Sequence, residues 1–185
     1  MRLFVYLLMP ILFLVQVSVL PAEGAKDVKL GPVQLKVAES WKQRQPSSNL
    51  RLGEFTIPAA EGDTDEAELS VFGPFGGSVE ANVGRWIGQF DAEGREVKMT
   101  QGTGTQGKYV LVDIKGTYKK PIGPPIQGRT QASPAHRMLA VMIIMEGEGN
   151  FFLKLTGAEK TIEATAADFR ASFGGDAAKE EPYAQ

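Results

Sequence analysis

The chain contains a single histidine, His136, and no cysteine, and these counts restrict the chemistry that it can perform. Ser133 stands three residues before His136, but no Gly-x-Ser-x-Gly turn is present to expose a strained nucleophilic serine. One histidine cannot build a multi-histidine metal site. Without cysteine there is no thiolate nucleophile and no cysteine-ligated zinc, iron–sulfur or haem group. The sequence therefore predicts no catalytic residue, no metal site and no cofactor.

Five carboxylates between residues 61 and 68 form a dense acidic cluster. A calcium loop that starts at Asp63 would need glycine at its sixth position and a bidentate glutamate at its twelfth. Those positions hold Glu68 and Pro74, so we interpret the segment as a solvated hairpin turn. Glycoside hydrolysis would need two carboxylates that flank a cleft. Asp113 and Asp168 lie in predicted regular elements, but no pattern in the sequence brings them together.

The glycines of residues 102–107 match the Gly-x-Gly-x-x-Gly spacing of dinucleotide-binding loops. In those loops the motif opens a helix, and the N-terminus of that helix holds the pyrophosphate. Here the motif precedes a predicted strand instead. It therefore indicates a hairpin turn and not a phosphate site.

Residues 119–137 carry a concentrated positive charge, with four prolines and no acid. We expect a long loop with polyproline character, in which Gly123-Pro124-Pro125-Ile126 is a candidate extended recognition segment. The loop either contacts an acidic polymer or phospholipid headgroups, or is simply solvated. Its candidate binding residues are Lys119, Lys120, Arg129, His136 and Arg137.

A second candidate surface is the polar face of a predicted helix that begins near Ser78. Asn82, Arg85 and Gln89 follow one another at i, i+3 and i+7, so their side chains line one side of the helix. Either they hydrogen-bond to loop carbonyls and fix the helix to the sheet, or they recognise an anionic or peptide partner.

The first 24 residues have the layout of a secretory signal peptide. A basic start at Arg2 precedes an apolar run from residue 3 to residue 20, and Pro21 ends any helix. Ala22 and Gly24 place small residues where a signal peptidase reads, so we expect cleavage after one of them. This predicts an exported protein, periplasmic or secreted, with no stable membrane span after cleavage. The alternative is a leader retained as a membrane anchor.

Removal of residues 1–24 leaves 161 of the 185 residues, enough for one domain with a core. We expect that single domain to span residues 25–175. Residues 176–185 are small and charged and are expected to form a flexible tail. The formal net charge of −2 argues against nucleic acid as a partner, because nucleic-acid-binding domains are usually strongly basic.

Hydrophobic periodicity predicts strands, a helix, further strands and a final helix. Alternating patterns indicate strands, and apolar residues at spacings of three and four indicate helices. Because hairpin connections dominate, we expect an α+β fold with a mostly antiparallel sheet flanked by two helices, an α/β/α sandwich. The main predicted elements are strands at 33–37, 50–57, 67–72, 108–118, 138–145 and 151–155, and helices at about 78–90 and 160–173.

This order of elements and two short motifs resemble the PsbP-like fold of the extrinsic photosystem II subunit and its bacterial and Ran-binding relatives. The motifs are Asn82-Val-Gly-Arg85-Trp86-Ile-Gly-Gln89-Phe90 and Phe151-Phe-Leu-Lys154-Leu-Thr-Gly157. The first also resembles a helix shared by short, exported, uncharacterised bacterial proteins. The resemblance implies a scaffold or binding module, and no metal-binding residue of the photosystem subunit has a counterpart here.

These observations favour an exported, non-enzymatic binding or accessory module of the cell envelope. Its partner would be an unknown protein or an anionic envelope component, bound by the basic loop and the adjoining helix face. Two alternatives stay open: a carboxylate-dependent hydrolase of envelope material, and a structural subunit of an envelope complex, which a large exposed apolar patch would reveal.

Overall fold

The computed structural model describes residues 24–123 and 127–184. The predicted signal peptide, except for Gly24, lies outside the described residues. So do Pro124, Pro125 and Ile126 of the candidate recognition segment.

The domain is α+β and is dominated by antiparallel strands, as predicted. Eight strands form one sheet in the order β10-β6-β7-β8-β9-β5-β4-β3, and β1 and β2 form a separate hairpin. The strands are β1 (Ala25–Leu30), β2 (Val33–Ala38), β3 (Lys42–Arg44), β4 (Arg51–Ile57), β5 (Ala67–Phe75), β6 (Glu96–Gly104), β7 (Gly107–Pro121), β8 (Thr130–Met145), β9 (Gly149–Ala158) and β10 (Glu181–Pro182). Within the described residues the two α-helices are α1 (Val79–Ile87) and α2 (Glu159–Ser172).

The central strands are covered on both faces, because successive side chains of a strand point to opposite sides. On β8, Leu139, Val141 and Ile143 belong to one buried cluster, which also contains residues of α2 and of the β1–β2 hairpin. Met138 and Met142 belong to the other cluster, which contains residues of α1. The helices therefore lie on opposite faces of the sheet. We call these the α2 face and the α1 face.

Strand β7 shows the same arrangement. Tyr109 and Leu111 are buried on the α2 face, whereas Val112 and Ile114 are buried on the α1 face. The first half of β7 is therefore apolar on both sides.

Helix α1 begins where the sequence predicted, because Ser78 caps it. The Ser78 hydroxyl accepts a hydrogen bond from the Ala81 backbone N–H at 3.2 Å. Trp86 anchors the helix, with its ring edge-on to Phe152 at a centroid distance of 5.9 Å. The segment after the helix is tied to β7, since the Lys119 N–H donates to the Gln89 carbonyl at 2.8 Å.

The long loop predicted for residues 119–137 is wrong. Strand β7 continues to Pro121 and β8 starts at Thr130, so that only residues 122–129 connect them. The register shifts opposite Pro134, which lies in a bulge between the pairs Gly116–His136 and Tyr118–Ser133. A bulge tolerates proline because the missing N–H has no ladder partner to lose.

The segment after α2, predicted as a flexible tail, contributes regular structure. Residues Ala177–Lys179 form a 3₁₀ turn, and Glu181–Pro182 (β10) pair with β6. Glu180 anchors this segment: Arg170 Nε donates to it at 2.7 Å, and the Thr100 hydroxyl donates to it at 2.8 Å. The contact with Thr100 joins residues 80 positions apart, which local composition does not reveal.

Candidate functional site

Lys154 lies on the α1 face, on the same side of β9 as Phe152. It lies on β9, where its register partners are Ser70 on β5 and Ala140 on β8. Both neighbours are small, so the long side chain of Lys154 lies between them, half-buried. Its ammonium donates a hydrogen bond to Oε1 of Gln89 at 3.1 Å.

Lys154 has no carboxylate partner. In residues 24–123 and 127–184, every ion pair with an N–O distance of 4.0 Å or less involves other side chains. Burial lowers the pKa of Lys154 to about 8, and repulsion from Arg51 adds to this effect, while Glu68 opposes it. A half-buried cation that contacts only a neutral amide is uncommon, because desolvation is usually offset by an opposite charge.

Two grooves open beside Lys154. The first, the polar groove, has a volume of about 320 Å³. It is lined by both charged and aromatic side chains, among them Arg51, Glu68, Tyr118, Lys120, His136 and Lys154.

Three carboxylates, Asp65, Glu66 and Glu68, line the polar groove, and Glu68 is already engaged within the protein. Arg51 bridges Glu54 and Glu68, and Arg44 also contacts Glu68, at 2.9 Å. Burial opposes ionisation of Glu68, but hydrogen bonds from Arg51 and Ser70 and the charges of the two arginines outweigh it, so the pKa of Glu68 lies below its usual range. Glu68 is therefore an ionised carboxylate with its charge compensated.

The opposite side of the polar groove carries a stacked pair. The rings of Tyr118 and His136 lie 5.7 Å apart at an interplanar angle of 10°. Burial lowers the pKa of His136 despite a hydrogen bond with the backbone of Pro134. Burial also raises the pKa of Tyr118. Both side chains are therefore neutral at pH 7.

The second groove, the aromatic groove, lies between α1 and the sheet and has a volume of about 230 Å³. Phe152 forms its centre: it stacks on Phe75 at 6.1 Å and meets the edge of Trp86. Phe75 is 39% exposed, so part of its ring faces solvent in the groove. The groove is lined by Phe72, Phe75, Asn82, Arg85, Trp86, Gln89, Phe152 and Lys154.

The structure brings the three predicted helix residues together in the aromatic groove. Asn82 is buried rather than solvated, and its amide donates to the Ser78 carbonyl at 2.9 Å while accepting a hydrogen bond from Arg85. Gln89 donates to the Arg85 carbonyl at 3.2 Å and accepts from Lys154. Asn82 therefore fixes the first turn of α1, and Gln89 connects the helix to the sheet.

The predicted basic residues do not form one surface. Lys120 and His136 line the polar groove, whereas Arg129 is exposed in the 122–129 connection. Lys119 precedes Lys120 on β7, so the two side chains point to opposite faces. Lys119, Lys120, His136 and Arg137 are strand residues and not loop residues, so the predicted basic loop does not form, and a role of these residues in binding stays a prediction.

Arg137 in particular is compensated. It makes a bidentate ion pair with Asp113 on the neighbouring strand, with N–O distances of 2.8 and 2.7 Å. Asp113 raises the pKa of Arg137 still further above its already high value. The charge of Arg137 is thus paired with Asp113 within the sheet.

Sequence reasoning missed Lys154 as a site residue. The sequence feature that indicates it is a single charged residue within the apolar strand Phe151–Leu155, on the same side of the strand as Phe152. Arg51, Tyr118 and Phe75 had no such signal, because they join the site only when the sheet places β7, β8, β9, β5 and β4 side by side.

In the part of the chain that the structure describes, no three histidine or carboxylate side chains come together as metal ligands. Within those same residues, neither helix combines the length and the apolar composition needed to cross a bilayer. No protein-family model matches the sequence, and no curated protein is significantly similar to it.

Proposed function

We propose that this chain is an exported, non-enzymatic binding module of the cell envelope, and that its α1 face holds an anionic group of its partner. The observation that carries the proposal is Lys154, a half-buried cation that lies between two open grooves and contacts a neutral amide. A charge that is desolvated without compensation costs stability, and such groups are concentrated at functional sites.

Binding fits the geometry of the polar groove better than catalysis does. A hydrolase that uses carboxylates needs one carboxyl group with a raised pKa to act as general acid. The pKa of Glu68 is shifted in the other direction, and Arg44 and Arg51 occupy its oxygens. The side chain is thus arranged as a fixed charge and not as a proton donor.

We also propose that the domain is PsbP-like and that residues 1–24 direct its export. Two segments suggested the resemblance, Asn82–Phe90 and Phe151–Gly157. They meet at the aromatic groove, where Gln89 contacts Lys154 and Trp86 contacts Phe152. This supports a shared binding surface for the fold but transfers no ligand, because fold does not determine function.

The partner is tested by affinity purification. The full chain, tagged after Gln185 and produced with its own leader, is recovered from solubilised envelopes of its natural source. We expect Lys154→Met to lose the captured partner and Lys36→Met to keep it. Lys36 is a matched control, an exposed lysine on β2, whose hairpin covers the α2 face. Equal recovery by both variants would refute the role of the α1 face.

Export is tested separately. Sequencing of the N-terminus of the purified protein should find a start directly after Ala22 or Gly24. A chain that keeps residues 1–24 and sediments with membranes would show instead that the leader is an anchor.

A further inference from the structure

We propose that the aromatic groove binds a small amphiphilic carboxylate, a compound with one aromatic or branched apolar group joined by a short linker to a carboxylate. This inference rests on the proposed function and names the chemistry of the group bound at the α1 face. The apolar part lies on Phe75 and Phe152, and the carboxylate lies between Lys154 and Arg85.

The floor of the groove suits a flat apolar group. Phe75 and Phe152 are stacked, and Trp86 closes the end next to α1. Aromatic rings accept further rings in offset or edge-on arrangements, which contribute to binding beyond the area that they bury. The exposed face of Phe75 is therefore available to a ligand.

The size of the groove limits the ligand. Its volume of about 230 Å³ lies below the roughly 300–1,000 Å³ of pockets for drug-sized compounds. A cavity of about 150 Å³ is sufficient for one benzene ring. One ring with a short acidic side chain consequently fills the groove, and a larger apolar body would extend into solvent.

The wall of the groove suits an anion. Lys154 and Arg85 both line it, and within the described residues neither has a carboxylate within 4.0 Å. Each is held by a neutral amide instead, Lys154 by Gln89 and Arg85 by Asn82. The amides orient the two cations and leave their charges uncompensated.

The number of donors favours a carboxylate over a phosphate. Two cationic side chains match the two oxygens of a carboxylate in charge-assisted hydrogen bonds. A phosphate monoester carries up to two charges and three strong acceptor oxygens, more than these donors satisfy. The carboxylate is also enough to offset the desolvation of Lys154.

The experiment titrates the purified protein with four probes and follows binding by calorimetry and by the NMR signal of the Gln89 side-chain amide. The probes are 3-phenylpropanoate, its neutral analogue 3-phenylpropanol, acetate and phenyl phosphate. We expect 3-phenylpropanoate to bind about tenfold or more tightly than each of the others, because a charge-assisted hydrogen bond contributes at least about 1.4 kcal/mol. Equal binding of 3-phenylpropanol or of phenyl phosphate would overturn the assignment.

Two variants and a control locate the site. Lys154→Met should weaken 3-phenylpropanoate binding about tenfold or more, and Phe75→Ala should weaken it several-fold, whereas Lys36→Met should leave it unchanged. Circular dichroism checks that each variant is folded. Unchanged binding by folded Lys154→Met would refute the inference.

The two proposals fail in different ways. If no probe binds while envelope capture still depends on Lys154, the ligand class is wrong and the α1 face remains the binding surface. If capture is also independent of Lys154, both are wrong.

Discussion

Replacing Lys154 with methionine should stabilise the protein at neutral pH. The side chain keeps a similar length and loses its charge. The pKa of Lys154 falls from 10.5 to about 8 on folding. Since each tenfold change in proton affinity is worth about 1.4 kcal/mol, keeping the ammonium charged at pH 7 costs folding on the order of 3 kcal/mol.

Two effects reduce the net gain. Lys154 is only half-buried, so solvent screens part of the penalty. The variant also loses the hydrogen bond to Gln89, which is worth about 1 kcal/mol. We therefore expect the free energy of unfolding to rise by about 1–2 kcal/mol at pH 7. Removal of a binding residue would thus stabilise the fold, the usual sign of a site maintained for function.

The stabilisation by Lys154→Met should decrease as the pH rises. The penalty is fully present below pH 8, where Lys154 is charged in both states. Between pH 8 and 10.5 the unfolded chain binds more protons than the folded one, so the wild type gains stability as the pH rises. The difference between variant and wild type should therefore shrink from pH 7 to pH 10. Other titratable side chains line the same grooves, but they are present in both proteins and do not cause this difference. They include Arg51, Glu68, Tyr118, Lys120, His136 and Arg85.

Urea unfolding at pH 7 and pH 10 measures this effect. With a denaturant slope of about 2 kcal/mol/M, the midpoint of Lys154→Met should lie roughly 0.5–1 M above that of the wild type at pH 7. Lys36→Met should shift the midpoint little at either pH. Destabilisation of Lys154→Met at pH 7, or an equal shift at both pH values, would refute the reasoning.

Three further predictions concern other parts of the domain. Because burial lowers the pKa of His136 below 6.5, the wild type should lose stability as the pH falls below 6.5. In thermal unfolding, the melting temperature of His136→Phe should depend less on pH between 6.5 and 5 than that of the wild type. Identical pH profiles would contradict this. Glu180→Gln removes the charge that faces Arg170 and should cost about 1–3 kcal/mol, with faster amide exchange in β10; unchanged exchange would show that Glu180 does not hold the segment. Asp113→Asn leaves the charge of Arg137 without its partner and should lower the free energy of unfolding in urea by about 1–3 kcal/mol. A decrease below about 0.5 kcal/mol would count against a stabilising role of the pair.

The fold class was predictable because its signals are local. Alternation along β4 and β5 follows from one apolar face of each strand, and the spacing of Val83 and Trp86 follows from the apolar face of α1. Phe90 continues the same spacing but lies beyond the helix, which ends at Ile87 and not near residue 90 as predicted. The boundaries of α2 differ by one residue at each end from those predicted. Local periodicity was sufficient wherever one side of an element was apolar.

The second half of the β7–β8 hairpin was not predictable in this way. Its residues are polar and include prolines, so neither face is apolar, and its strands are specified by pairing with each other. The segment after α2 was missed for a related reason, since Glu180 holds it to Arg170 on α2 and to Thr100 on the distant strand β6. Contacts between distant residues leave no hydrophobic periodicity in the sequence of either partner.

The candidate site was only half predictable. The helix spacing gave Asn82, Arg85 and Gln89, but a face that reads as polar on a helical wheel turned out to hold the buried Asn82. Lys154 became a candidate only when β5, β8 and β9 placed it between Ser70 and Ala140. The desolvation that makes it notable is a property of the assembled sheet.

Site-specific photo-cross-linking tests the role of the α1 face most directly. A photoreactive phenylalanine analogue replaces Phe75 in the aromatic groove or, as a control, Lys36 on β2, and cells that produce the full chain are irradiated. The account predicts an adduct with an envelope component from position 75, lost when Lys154→Met is added, and none from position 36. An equal adduct from position 36, or an adduct from position 75 that is insensitive to Lys154→Met, would contradict it.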